Sequence, residues 1–285
     1  MEVGMPGPKA LLKLALQRSG YQLKKRPKAP SLAAAALHLD PFYDQQFLLK
    51  KRPVNVILDI GAHHGQTALQ YRRFFPKTRI ISFEPFPDSF ARCEKLALGL
   101  APMEVHQLAM ADTPGQRIFH CASFEARNSL LPLDESRTDL FPAEWSKRAG
   151  EITVDVTTID DFASQHAIDH IDILKMDIQG GELLALKGAP HLLASRAIDL
   201  IFLEVAFTEM YEHHPLLFDI YRFLHEQGFA LFDLYNIHAG QQNMSIAEGD
   251  ALFVRKDLLD LPAPTHAPVH PSVPAPAHTN ASASG

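Results

Sequence analysis

Several residues that often carry special chemistry are scarce in this chain. Cys93 and Cys121 are its only cysteines. They form no CxxC pair, which excludes a disulfide framework and a thiolate zinc site and suits a reducing, cytoplasmic setting. No apolar run approaches the roughly 20 residues that a membrane-spanning helix needs. The apolar segment 10–16 is broken by Lys13 and followed by no small-residue cleavage pattern, so it does not read as a signal peptide. Positive charge is missing where a nucleic-acid groove would need it. The first 52 residues hold 10 Lys/Arg against 3 Asp/Glu, but the remainder holds 17 against 30. An acidic body of that kind argues against a nucleic-acid partner.

Three regions emerge from what is present. Residues 1–52 read as a basic arm, partly helical over 9–18, with a cationic run at Lys24, Lys25, Arg26 and Lys28. Such an arm is ordinarily solvated; its sharper reading is weak contact with anionic headgroups at a membrane surface. Residues 259–285 carry six prolines among Ala, His, Ser and Thr. That composition cannot bury enough apolar surface to fold, so a disordered C-terminal tail is expected. Between them, over 53–258, buried-strand patterns alternate with helical ones. Strands are expected at 54–60, 79–83, 103–108, 171–178 and 198–205, with a closing pair at 229–235 and 251–255. Helices are expected at 66–75, 88–98, 158–166, 182–193 and 216–227. The β-like segments 116–121 and 152–157 have no helix between them and are expected to pair antiparallel. The whole pattern predicts a doubly wound α/β domain with a mainly parallel sheet.

The first strand runs into LDIGAHHGQTA. Gly61 and Gly65 can turn the backbone sharply at the start of a helix, close to a ligand, with Ala62 between them and Asp59 placed to orient the loop. The spacing is GxxxG, with His63 inside it, and not the GxGxxG of dinucleotide sites. The second strand ends in SFEP. There Glu84 stands about twenty residues past the glycine loop, where a carboxylate can accept both hydroxyls of a ribose. Phe86 is a candidate to lie against an adenine ring, and Met110 and Asp112 to meet its polar edge. In DILKMDIQGGELLALKGA, Lys175 and Asp177 share a strand face about 6–7 Å apart. Two charges on an apolar strand must be paired or emerge at the active edge. Glu204 ends the next strand at that edge. The expected proton acceptors are Asp177, His63 and Glu204, in that order, with Lys175 tuning Asp177. No cluster demands a metal ion, although Asp177 and Glu204 could share one. The insert 122–150, with Arg127, Asn128, Ser129 and Trp145, is long enough to form a lid.

Taken together, VILDIGAHHGQTA, ISFEPFPDSF, VTTIDDF, the Lys175–Asp177 segment and GDALFVRK resemble the FkbM-type methyltransferases, within the class I S-adenosylmethionine-dependent enzymes. The resemblance spans roughly residues 53–256. It implies a Rossmann-like seven-stranded sheet with an antiparallel last strand, and S-adenosyl-L-methionine over the Gly61–Gly65 loop with Glu84 on its ribose. It also implies O-methylation of a hydroxyl on a sugar, glycan or polyketide-like small molecule. His63, His64 and Gly181 depart from the family's usual residues. Two other classes compete: a non-catalytic binding or scaffold protein on the same fold, and a nicotinamide-dependent oxidoreductase, which the missing middle glycine disfavours.

Overall fold

A computed structural model of the chain describes residues 38–137, 139–140, 145, 147–240 and 244–259. The helix expected over 9–18 and nearly all of the expected tail lie outside the described residues. Within the span assigned to the arm, Pro41–Leu48 form a helix, α1, whose N-terminus is capped by the Asp40 carboxylate accepting from the Phe42 and Tyr43 N–H groups at 2.8 and 3.2 Å. It packs on the domain that follows. The buried hydroxyls of Tyr71 and Tyr235 donate to Gln45 and Asp44 at 3.1 and 2.6 Å.

The central sheet has seven strands: β1 (Val56–Ile60), β2 (Arg79–Phe83), β3 (Met103–His106), β7 (Ile171–Met176), β8 (Ile198–Ala206), β9 (Phe229–Ala239) and β10 (Ile246–Arg255). Their spatial order is β3-β2-β1-β7-β8-β10-β9. All neighbouring pairs are parallel except those of β10, which runs antiparallel to both β8 and β9. The strand order reverses beside β1, and ligands bind outside the carboxyl ends of strands at such a switch point.

Both faces of the sheet are covered, which explains why the inner strands read as continuous apolar runs. On one face, Ile57, Ile80, Ile173 and Leu200 pack with Ala68 and Tyr71 of α2 (Gln66–Phe74) and with Leu49. On the other, Leu58, Ile81, Leu174 and Ile201 meet α4 (Ile159–Gln165), α5 (Glu182–Lys187), α6 (Pro190–Ala194) and α7 (Leu217–Glu226) through Phe162, Leu186, Leu192 and Ile220. The remaining long helix, α3 (Pro87–Ala97), follows β2 with Pro87 in its first turn. The single helix expected over 182–193 is two. Pro190 has no N–H to continue α5 and restricts Ala189 before it, so the chain breaks after Lys187 and restarts.

A smaller sheet stands beside the main one. Here β5 (Gly115–Ala122) pairs antiparallel with β6 (Arg148–Thr157), as the sequence suggests, and β4 (Ala109–Met110) joins β6 in parallel. The segment between β5 and β6 leaves this sheet through a short 3₁₀ turn at Glu125–Arg127. That turn brings the insert over the carboxyl edge of the main sheet, where it lines the main cavity.

Candidate active site

The floor of the site is the turn after β1. The N–H groups of Gly61 and Ala62 both donate to the Phe83 carbonyl at 3.0 Å, tying the turn to the end of β2. Gly61 has φ +78°, and a Cβ there would lie 1.8 Å from the Asp177 carbonyl oxygen, so no other residue fits without moving backbone. His63 takes the left-handed region at φ +49°. Its N–H donates to Glu84 at 2.8 Å, and the Phe86 N–H donates to the other Glu84 oxygen at 2.9 Å.

Beneath the turn lies a buried ion pair. Lys175 is 4% exposed and Asp59 is 0% exposed; Lys175 Nζ stands 3.1 Å from Asp59 Oδ1 and donates to the Gly61 carbonyl at 2.8 Å. This corrects the pairing expected between Lys175 and Asp177. The two belong to one strand face, but parallel pairing of β1 and β7 sets Asp59 directly beside Lys175, while Asp177 lies past the strand end and is exposed. Burial alone would lower the Lys175 pKa; the charges of Asp59 and then Asp177 outweigh it and leave it raised.

Above the turn is a cavity of about 460 Å³, within the size range of small-molecule and cofactor sites. Of the expected residues, Gly61, Ala62, His63, Glu84, Met110, Lys175 and Asp177 line it. Gly65, at φ +84°, ends the turn outside the wall, and Asp59 lies under the floor. Phe86 and Asp112 do not face the cavity. Phe86 packs against the Ala109, Phe119 and Val154 cluster, and Asp112 pairs with Arg117 on the surface. Glu204 also stands outside the wall and is reached through Gln179, whose side-chain amide nitrogen donates to Glu204 at 2.7 Å and to Asp177 at 3.1 Å. Burial, then the charges of Asp177, Glu248 and Glu182, push the Glu204 pKa well above the carboxylate range.

One side of the wall comes from the insert, including Phe124, Glu125, Arg127, Asn128 and Leu130. Arg127 is held by a two-point contact with Glu248 at 3.0 and 3.1 Å, and it also donates to Gln179. The Tyr211 hydroxyl adds a 2.8 Å bond to the same Gln179 oxygen. Sequence reasoning singled out the insert but not Glu125 or Gln179. A Gln beside two glycines reads as a turn residue until the fold sets Glu204, Arg127 and Tyr211 around it.

The donor set suits an adenosyl sulfonium. Glu84 can accept hydroxyl protons, and Phe83, Leu108, Ala109 and Phe119 offer apolar surface for a flat base beside it. Burial, opposed by its two backbone donors, raises the Glu84 pKa to about 7.

A Rossmann-like sheet with a GxxxG turn, a strand-end carboxylate, a cavity at the switch point and an antiparallel β10 is the arrangement of the class I S-adenosylmethionine-dependent methyltransferases. The chain belongs to the FkbM methyltransferase family: the Methyltransferase FkbM domain matches residues 59–231. S-adenosyl-L-methionine is its cofactor. Among its relatives, the 2-O-methyltransferase NoeI of Sinorhizobium fredii is 30% identical over 168 residues, covering 58% of this chain and 68% of that protein. The methyltransferase sdnD of Sordaria araneosa is 24% identical over 181 residues, covering 55% and 69%. In structure, magnesium protoporphyrin IX methyltransferase of Synechocystis PCC 6803 with bound SAM aligns over 90% of this chain and 100% of its own, at 10% identity and a TM-score of 0.39. Among the described residues, no helix is long and apolar enough to cross a membrane.

Proposed function

We propose that this methyltransferase acts on a hydroxyl of a small molecule or glycan, with Asp177 accepting the hydroxyl proton. The observation that carries the reading is Asp177 itself: an exposed carboxylate in the cavity wall, its backbone against Gly61 and one oxygen steadied by Gln179. The 2-O-methyltransferase NoeI supports an oxygen acceptor by likeness. The bound cofactor supplies an electrophilic methyl group for in-line transfer. The chain orients the acceptor, excludes water and takes up one proton. His63 is the second candidate base. Burial, then the nearby His64, lower its pKa, which favours the neutral imidazole that a base requires. Incubation with deuteriomethyl-labelled cofactor and a panel of hydroxyl, amine and carboxylate acceptors tests the reading by mass spectrometry. Labelled methyl ethers are expected; transfer confined to nitrogen would sink it.

In the same reading Glu84 holds the ribose, and only its ionised form accepts from both hydroxyls. With a pKa of about 7, affinity for S-adenosylhomocysteine should be weak under acidic conditions and climb by about tenfold per pH unit toward neutrality, then level off. Glu84→Ala should remove that slope and weaken binding by roughly 1–3 kcal/mol. Calorimetry across the pH range checks both. A flat profile in the unaltered protein would remove Glu84 from the ribose.

A further inference from the structure

At the rim of the cavity three side chains converge from two separate parts of the chain. His63 and His64 come from the turn after β1, and Glu125 comes from the 3₁₀ turn of the insert. The two imidazoles stack, with ring centroids 3.7 Å apart and 19° between planes. Both present Nε2 to the same carboxylate oxygen: His64 Nε2 lies 2.9 Å and His63 Nε2 3.6 Å from Glu125 Oε1. The three atoms all lie within 4.8 Å of one another.

The tautomer of His64 decides which of its two neighbours it can bond. Arg92 Nη1 lies 2.8 Å from His64 Nε2 and 2.9 Å from Glu125 Oε1. A guanidinium only donates, so beside Arg92 the His64 nitrogen must offer its lone pair; beside Glu125 it must offer a proton. It cannot do both. His63 Nε2 is buried with no hydrogen-bond partner. Two imidazole nitrogens and a carboxylate oxygen therefore lie close enough to share one ion once one of the stacked rings turns to bring its in-plane lone pair round, and Arg92, 58% exposed, stands beside them.

We propose that His63, His64 and Glu125 form a binding site for a divalent transition-metal ion of the zinc type, clasping the insert to the glycine turn across the mouth of the cavity. Two imidazoles and one carboxylate are a common zinc ligand set, and two ligand atoms on a tetrahedral zinc stand about 3.3 Å apart. The two separations from Glu125 Oε1, 2.9 and 3.6 Å, bracket that value. Imidazole nitrogens select zinc, cobalt, nickel or copper over magnesium and calcium, which prefer all-oxygen shells. The carboxylates of Glu125 and Asp177 act on His63 as nearby negative charges, and such charges favour a cation. Arg92 is the resident competitor, and its exposure lets it swing aside. His63 and Glu125 both line the cavity, so a bound ion would sit in its wall and restrain the insert.

The test is titration of the chelator-treated, full-length protein with zinc chloride by calorimetry. Cobalt(II) absorption serves as a second readout, because its visible bands report tetrahedral nitrogen and oxygen ligation. Binding of zinc is expected to weaken by about tenfold or more in Glu125→Gln and in His64→Ala, since even outer-shell changes cost 10–100-fold. Arg92→Gln is expected to bind more tightly than the unaltered protein, an outcome that no distant histidine cluster would produce. Circular dichroism establishes that each variant is folded, and Glu125→Gln, isosteric and partly exposed, covers the case in which His64→Ala is not. Identical isotherms in the unaltered protein and Glu125→Gln would place the zinc elsewhere and overturn the proposal. Equal affinity for magnesium would overturn the assigned ion class.

Discussion

Asp177→Asn should leave the fold and S-adenosylhomocysteine binding in place and slow methyl transfer by about 10²–10⁴-fold, the range expected for loss of a general base. The carboxylate is exposed and stands past the end of β7, so the neutral amide removes a proton acceptor without leaving a buried cavity. Its link to Gln179 can survive, because the Asn carbonyl still accepts from the Gln179 amide. Single-turnover assays at saturating cofactor measure the chemical step directly. Unchanged turnover would transfer the base, in the metal-free protein, to His63, and His63→Gln would then have to carry the large loss in chelator-treated enzyme. A fall in stability together with cofactor affinity, with turnover per folded molecule spared, would make Asp177 a structural residue.

The second large effect is on stability. Lys175→Met should destabilise the protein by about 3–5 kcal/mol, because it strands a charged carboxylate at Asp59 in a site with no access to water. The Ser82 hydroxyl, 3.2 Å away, would still donate to that carboxylate, but a single neutral donor does not replace the ammonium. The same change removes the donor to the Gly61 carbonyl, so cofactor affinity should fall as well. Pairing Lys175→Met with Asp59→Leu should recover most of the lost stability, since a buried ion pair replaced by apolar groups is often neutral. It should not recover the cofactor affinity. Urea unfolding of the two single variants and the double variant separates these terms. Full additivity of the single effects would mean that the two groups do not interact.

Most of the fold was legible because its signals are local and periodic. The apolar runs of β1, β2, β7 and β8 are covered on both faces and read as such, and the helices expected at 88–98 and 158–166 stand within a residue of those bounds. That Gly61, Glu84 and Met110 share one cavity was legible for a related reason: each sits at a strand end, so knowing the strand order fixes their neighbourhood. What could not be read was lateral. That Asp59 and not Asp177 stands beside Lys175 depends on the register of β1 against β7, which no single sequence displays. The break at Pro190 was local and was missed because the apolar pattern of 182–193 continues through it. The cavity roof was hardest. Glu125 and Asn128 reach the cavity only because the insert folds back from the small sheet, and nothing periodic in 122–150 announces that return.

The close contact between Gly61 and the Asp177 carbonyl has a consequence for redesign. The turn after β1 and the end of β7 touch backbone to backbone, so no side chain in that contact is available to be changed. The roof is different. Phe124, Asn128 and Leu130 line the cavity from a segment outside the main sheet. A library built to alter acceptor choice should therefore vary these three positions and leave the glycine turn alone. Variants selected for new acceptors from a randomised chain should carry their changes in the insert.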